Sequence, residues 1–170
     1  MNPIIESILS RRSIRKFYDK PVDNELINII LKAGFNAPSA GNQQPWHFVI
    51  INDRKILDEI ADFHPYAKMA RQTPQAFLVC GEPALEKHPG YWPVDCSAAT
   101  ENMLLAIHAL GLGGVWVGVY PREERMKEIT RICNLPDHIK PFALIPFGYP
   151  AEEKPPANRF IPDRIKYNRW

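Results

Sequence analysis

The apolar positions of this chain change period several times, and each change marks an element. Residues 3 to 10 read as a short helix that stops before a cluster of arginines, and Asp19-Lys20-Pro21 reads as a turn. Asp23 is placed to cap a helix running to about Gly34. Leu26, Ile30 and Ala33 share one face of it, and Val22 and Ile27 form a hydrophobic staple at its start. A polar loop rich in turn formers, 37–45, leads into a strand, Trp46 to Ile51, whose apolar run predicts burial on both faces. A helix over 54–63, a weaker helical piece near 65–71 and a second strand, Gln75 to Gly81, follow.

Asp95 opens the strongest predicted helix. Apolar residues at 96, 99, 103, 106, 107 and 110 keep a period of 3.6, and Ala98, Leu104 and Leu105 fall on its other faces, so most of it should be buried. Gly111 is a natural left-handed stop, with Leu112 behind it. A third strand is expected over 114–120. Pro121 ends it and suits the first turn of a helix reaching Cys133, whose acids lie early and bases late. A fourth strand is expected over 141–149. After it, Pro150, Pro155, Pro156 and Pro162 mark an extended arm, 150–170, with too few periodic apolar positions to fold alone. The pattern mixes helices and strands, and the arm is expected to pack on something else.

Composition narrows the picture. With 170 residues, 45% hydrophobic and 24% charged, residues 1–170 fit one soluble globular domain. A net charge of +2 gives the whole molecule little pull toward nucleic acid or an acidic membrane, so any anion must be held by a local cluster. No apolar run is long enough to span a membrane, and the first residues lack a secretory signal. Cys80, Cys96 and Cys133 are odd in number and set among apolar residues, which suits buried thiols in a reducing, cytoplasmic setting. The five histidines show no ligand spacing, so no metal is expected.

Three segments could carry chemistry. Arg11, Arg12, Arg15 and Lys16 crowd within six residues around the hydroxyl of Ser13. Planar guanidinium groups can grip a phosphate through paired hydrogen bonds, although a solvated basic turn would look the same. The loop Pro38-Ser39-Ala40-Gly41-Asn42-Gln43-Gln44-Pro45-Trp46 offers amides that donate and accept at once, as the edge of a flavin ring requires; it also fits an ordinary connection. The run from Gly111 to Gly118 contains four glycines, but they end a helix and open a strand, the reverse of a dinucleotide-binding loop. Gly118 could let backbone approach a flat ligand, or could serve tight helix-strand packing. There is no nucleophile elbow, phosphate loop or carboxylate pair, and an enzyme lacking these commonly borrows its chemistry from a cofactor.

Arg11-Arg12-Ser13-Ile14-Arg15, the loop from Ala37 to Trp46, the segment from Gly113 to Pro121, Gly148-Tyr149-Pro150-Ala151-Glu152-Glu153-Lys154 and Tyr167-Asn168-Arg169-Trp170 occur in this order along the whole chain. Together they resemble the nitroreductase family of FMN-dependent oxidoreductases, in its compact form. The resemblance implies an α+β fold around a mostly antiparallel sheet, in an intertwined homodimer whose C-terminal arms are exchanged and whose FMN sites lie at the subunit interface. It implies that Arg11, Arg12 and Ser13, joined by Arg159 and less securely by Lys154, hold the phosphate and ribityl chain of FMN. Arg15 would lie at the N1 and O2 edge of the ring and the backbone of Val117 and Gly118 against it, near N5. Pro38, Ser39, Ala40 and Asn42 would come from the other subunit. The implied activity is ping-pong transfer from NADH or NADPH through FMN to a small acceptor such as a nitroaromatic or a quinone. Alternatives on the same scaffold are a reductive dehalogenase, a flavin-consuming enzyme or a non-catalytic flavin binder. The segment 81–93 is short where a lid often arises, and its Tyr91 and Trp92 either line an acceptor pocket or pack in the core.

Overall fold

A computed structural model describes residues 2–170. The chain runs α1 (Pro3–Ser10), α2 (Asn24–Phe35), β1 (Trp46–Ile51), α3 (Arg54–Phe63), β2 (Gln75–Gly81), α4 (Trp92–Ala109), β3 (Gly113–Gly114), β4 (Val117–Gly118), α5 (Glu123–Ile132) and β5 (Lys140–Gly148). Every ladder between these strands is antiparallel. β2 lies between β1 and β5, and β3 and β4 pair in succession with the other side of β5. This is the α+β architecture expected.

β2 explains why the sheet carries helices on both faces, since all seven of its residues are buried. Phe77 and Val79 point into one core with Ile30 of α2, Met103 and Ile107 of α4, and Phe147 of β5. Ala76, Leu78 and Cys80 point the other way, to Leu57 and Ile60 of α3 and Ile129 of α5. Fully burying an aliphatic side chain of this size contributes about 1.5–3 kcal/mol, so both layers are held by the same few strand positions. Phe77 and Phe147 stack across the β2–β5 pair, with ring centres 4.4 Å apart.

Five sequence expectations need correction. β1 reaches a core on each face, through Trp46 on one and Ile51 on the other, but as an edge strand it is not buried along its length, and His47 and Ile50 are exposed. α4 begins at Trp92, three residues before Asp95, because proline is tolerated in the first turn and Glu86 Oε1 accepts the Trp92 N–H at 2.6 Å. The strand expected over 114–120 is broken into β3 and β4. The break lies opposite Pro146, which accepts from Val115 N–H but has no N–H to return to it. The helical piece near 65–71 is only a 3-10 turn, Lys68–Arg71, and α5 starts at Glu123 rather than at Pro121. Gly111 does end α4 in the left-handed region (φ 74°), with Leu112 buried behind it.

The arm divides in two. Its start pairs with the chain's own N-terminal segment: Phe17 bridges Pro150, and Ala151 N–H donates to Lys16 carbonyl at 2.9 Å. Beyond Pro155 nothing is buried; Phe160, Tyr167 and Trp170 are 72%, 85% and 100% exposed. The accessible surface is 10388 Å² for 19.5 kDa. A compact monomer of that mass exposes about 8,500 Å².

Candidate functional site

The arginine segment leaves α1 in extended form and lies along the outer edge of the sheet. Ser13 bridges Gly114 in parallel, and Ile14 N–H donates to Gly114 carbonyl at 3.0 Å. Gly113 permits this approach, since a Cβ there would stand 2.7 Å from Ile14 Cγ2. The segment thereby presents its side chains to two clefts.

The first cleft, about 450 Å³, is lined by Arg11, Arg12 and Arg159 together with Glu101 and Phe160. Arg11 pairs loosely with Glu101 (Nε to Oε1, 3.5 Å). Arg12 is different: its Nε and Nη1 are buried and have no hydrogen-bond partner among the described residues. Leaving such groups unsatisfied costs roughly 1–3 kcal/mol or more for a charged one, which makes Arg12 the least satisfied cation of the segment. Lys154 lies close by but its Nζ is occupied, donating to Ser13 carbonyl at 2.8 Å and pairing with Glu152 at 3.2 Å. Glu152 Oε1 in turn accepts Arg15 N–H at 2.6 Å, and that hydrogen bond, more than its neighbouring lysine, holds the carboxyl below its ordinary pKa.

The second cleft, about 430 Å³, is lined by Arg15, Tyr66, Lys68, Met69 and the strand residues 115–118. Val115 and Val119 donate their N–H groups to Pro146 and Phe142 of β5, both at 3.2 Å. The alternation of an antiparallel ladder therefore turns the N–H groups of Trp116 and Gly118 to the opposite edge, toward this cleft. A Cβ added to Gly118 would meet nothing within 4 Å, which rules out tight helix-strand packing as the reason for glycine and leaves an open cradle beside Arg15. An unpaired buried guanidinium at one end and an open backbone cradle at the other suit a phosphate joined to a flat ring, so the residues present fit FMN.

The amide loop lies elsewhere. Ala40 N–H and Gln43 Nε2 both donate to the carboxylate of Asp95, at 2.9 and 2.6 Å, and Gln43 Oε1 accepts from Lys87 and His88 N–H. Ser39 Oγ accepts Gln44 N–H at 3.0 Å, and Gly41, Asn42 and Gln44 adopt left-handed backbone. The loop that carries Pro38, Ser39, Ala40 and Asn42 is thus pinned to the first turn of α4 through Ala40 and Gln43. His108, which meets Ser10 at 2.8 Å next to the arginine segment, lies near its last turn, about 20 Å away along the helix axis. One chain gathers Arg11, Arg12 and Arg159, and separately Arg15, Val117 and Gly118, but does not bring the loop to either.

Sequence reasoning missed Tyr66, Lys68 and Met69 on the cleft wall, and Asp95 as the clasp of the loop; no spacing ties these residues to their partners. Of the two aromatics of segment 81–93, Trp92 belongs to the core and Tyr91 is exposed.

A model of the nitroreductase family matches residues 8–91 and 65–149. A protein of Methanothermobacter thermautotrophicus, provisionally named an NADH dehydrogenase/NAD(P)H nitroreductase, is 48% identical over 98% of this chain and 87% of its own length. A solved structure from Parabacteroides distasonis under the same provisional name superposes with a TM-score of 0.97 at 42% identity, covering 100% of both chains. Another, a provisionally named nitroreductase from Desulfovibrio desulfuricans solved in complex with FMN, gives a TM-score of 0.86 at 30% identity, covering 100% of this chain and 99% of that one.

Proposed function

Because the chain belongs to the nitroreductase family, we propose that it is an FMN-dependent oxidoreductase that passes reducing equivalents from NADH or NADPH to a small acceptor such as a nitroaromatic or a quinone. FMN, when bound, supplies the two-electron chemistry. The chain's own residues supply its place and its electrostatics. The observation that carries this reading is the pairing of Arg15 with the open backbone of Gly118 on one cleft.

In this reading Arg11, Arg12, Ser13 and Arg159 hold the phosphate end, with Arg12 gaining the partner that its buried nitrogens lack. Arg15 places a fixed positive charge where the reduced ring would gather negative charge, which favours reduction. The backbone of Val117 and Gly118 carries an N–H toward the ring. Lys154 serves by locking Ser13 rather than by touching phosphate. Nicotinamide and acceptor use the open cleft in turn, which is a ping-pong order.

We further place Pro38, Ser39, Ala40 and Asn42 in the site of a second copy, in a homodimer that exchanges its arms. The distance of this loop from the arginine segment and the exposed apolar arm support that assembly. Three cysteines without disulfide partners suit a reducing, cytoplasmic setting.

The visible spectrum tests the whole reading. Purified protein is expected to be yellow, with two flavin bands that NADH or NADPH bleaches when oxygen is excluded. Colourless protein that takes up no added FMN would overturn it, and flavin that neither nucleotide bleaches would leave only a binding protein.

A further inference from the structure

Behind the second cleft lies a histidine that these roles leave without a task. His64 caps the end of α3 and is only 1% exposed. Its Nδ1 accepts the Tyr66 N–H at 3.2 Å and its Nε2 lies 3.0 Å from the Gly118 carbonyl oxygen. An imidazole that accepts at Nδ1 carries its proton on Nε2, so it donates to Gly118. Burial first, and the charge of Arg125 after it, hold the ring below its ordinary pKa and keep this neutral form.

The same carbonyl receives a second donor, Arg125 Nη1 of α5, at 3.0 Å. The Arg125 guanidinium also lies over the Tyr66 ring, 5.3 Å from its centre, so both donors also brace the cleft wall. Such a double hold is needed at a glycine. Gly118 has no side chain to pack, and it has more backbone freedom to lose than any other residue. Hydrogen bonds must fix what packing cannot.

We propose that His64 is a positioning residue which, together with Arg125, holds the Gly118 carbonyl and thereby sets the backbone that faces the ring cleft before any ligand enters. The proposal rests on reading that cleft as the FMN ring site. Three full-length variants test it by two measurements: the amide resonances of residues 117–119 in FMN-free protein, and the FMN dissociation constant. Asparagine can replace Nδ1 as acceptor but cannot reach Gly118, whereas glutamine places a donor near the position of Nε2. His64→Asn is therefore expected to shift and broaden the Gly118 and Val119 amide signals and to weaken FMN about tenfold, the worth of one good hydrogen bond. His64→Gln is expected to recover most of both losses. Arg125→Met, at a half-buried position that opens no core cavity, is expected to change both readouts in the same direction but less.

Equal effects of His64→Asn and His64→Gln, with the Gly118 signal unmoved, would mean that the ring merely fills space and would overturn the proposal. Should neither His64 variant fold, an unmoved Gly118 signal in Arg125→Met overturns it as well. If the parent protein takes up no FMN, the functional reading fails, yet the amide signals still decide whether the hold exists.

Discussion

At one end of the arginine segment Arg12 has two buried nitrogens with nothing among the described residues bonded to them; at the other, a single glycine carbonyl receives two donors. In the proposed site the ring end is finished by the chain itself, through residues far apart in sequence but packed on one sheet edge. The proposed phosphate end is left short of partners, and one of the residues lining it, Arg159, sits on the arm. A site can thus be rigid where geometry must be exact to tenths of an ångström and incomplete where a charged ligand can supply the missing bonds.

Removing residues 158–170 should widen this difference most. It takes away Arg159 and the exposed apolar side chains, so the protein is expected to run as a monomer by light scattering and to lose FMN; a dimer retaining flavin would erase the contrast. Arg12→Ala comes next. Charge-assisted bonds of roughly 1.5–3 kcal/mol should translate into FMN binding weaker by about 10–100-fold. The melting temperature without FMN should not fall, because the substitution removes buried groups that have no partner. A clear loss there would mean that Arg12 is structural.

Asp95→Ala strips the loop of its clasp and leaves Ala40 N–H and Gln43 Nε2 unpaired, which should cost about 1–3 kcal/mol in urea unfolding and weaken FMN binding as the loop loosens. Unchanged FMN affinity alongside lost stability would separate the loop from the site. Arg15→Ala is expected to lower the midpoint potential of bound FMN and slow its reduction by NADH while altering affinity less than Arg12→Ala does. The smallest effect concerns pH. Burial holds both His64 and His108 below their ordinary value of 6.5, so they are neutral in the fold but take up protons when unfolded. Their contribution is complete above 6.5 and is lost as pH falls toward the folded values. Urea midpoints should drop modestly between about pH 7.5 and pH 5.5, and His108→Gln should remove part of the drop.

Periodic apolar residues made the helices legible, and the staple of Val22 and Ile27 is buried where the pattern placed it. What escaped was long-range. The break in the third strand depends on Pro146, whose missing N–H matters only once β5 is known to lie alongside Val115. Likewise the sequence marks Arg15 and Gly118 each as a candidate, but only the sheet edge brings them to one cleft. Asp95 looked like the start of a helix and proved to be an acceptor for a loop some fifty residues earlier. His64 offered no signal at all, since its partners are backbone atoms that have no identity in a sequence.

In the proposed dimer the exposed arm also ties the protein's durability to its abundance. Phe160, Tyr167 and Trp170 lie open to water in a single chain, so a chain covered by another copy follows mass action. Each tenfold dilution takes about 1.4 kcal/mol from the associated state, and any flavin held across the junction is released along with it.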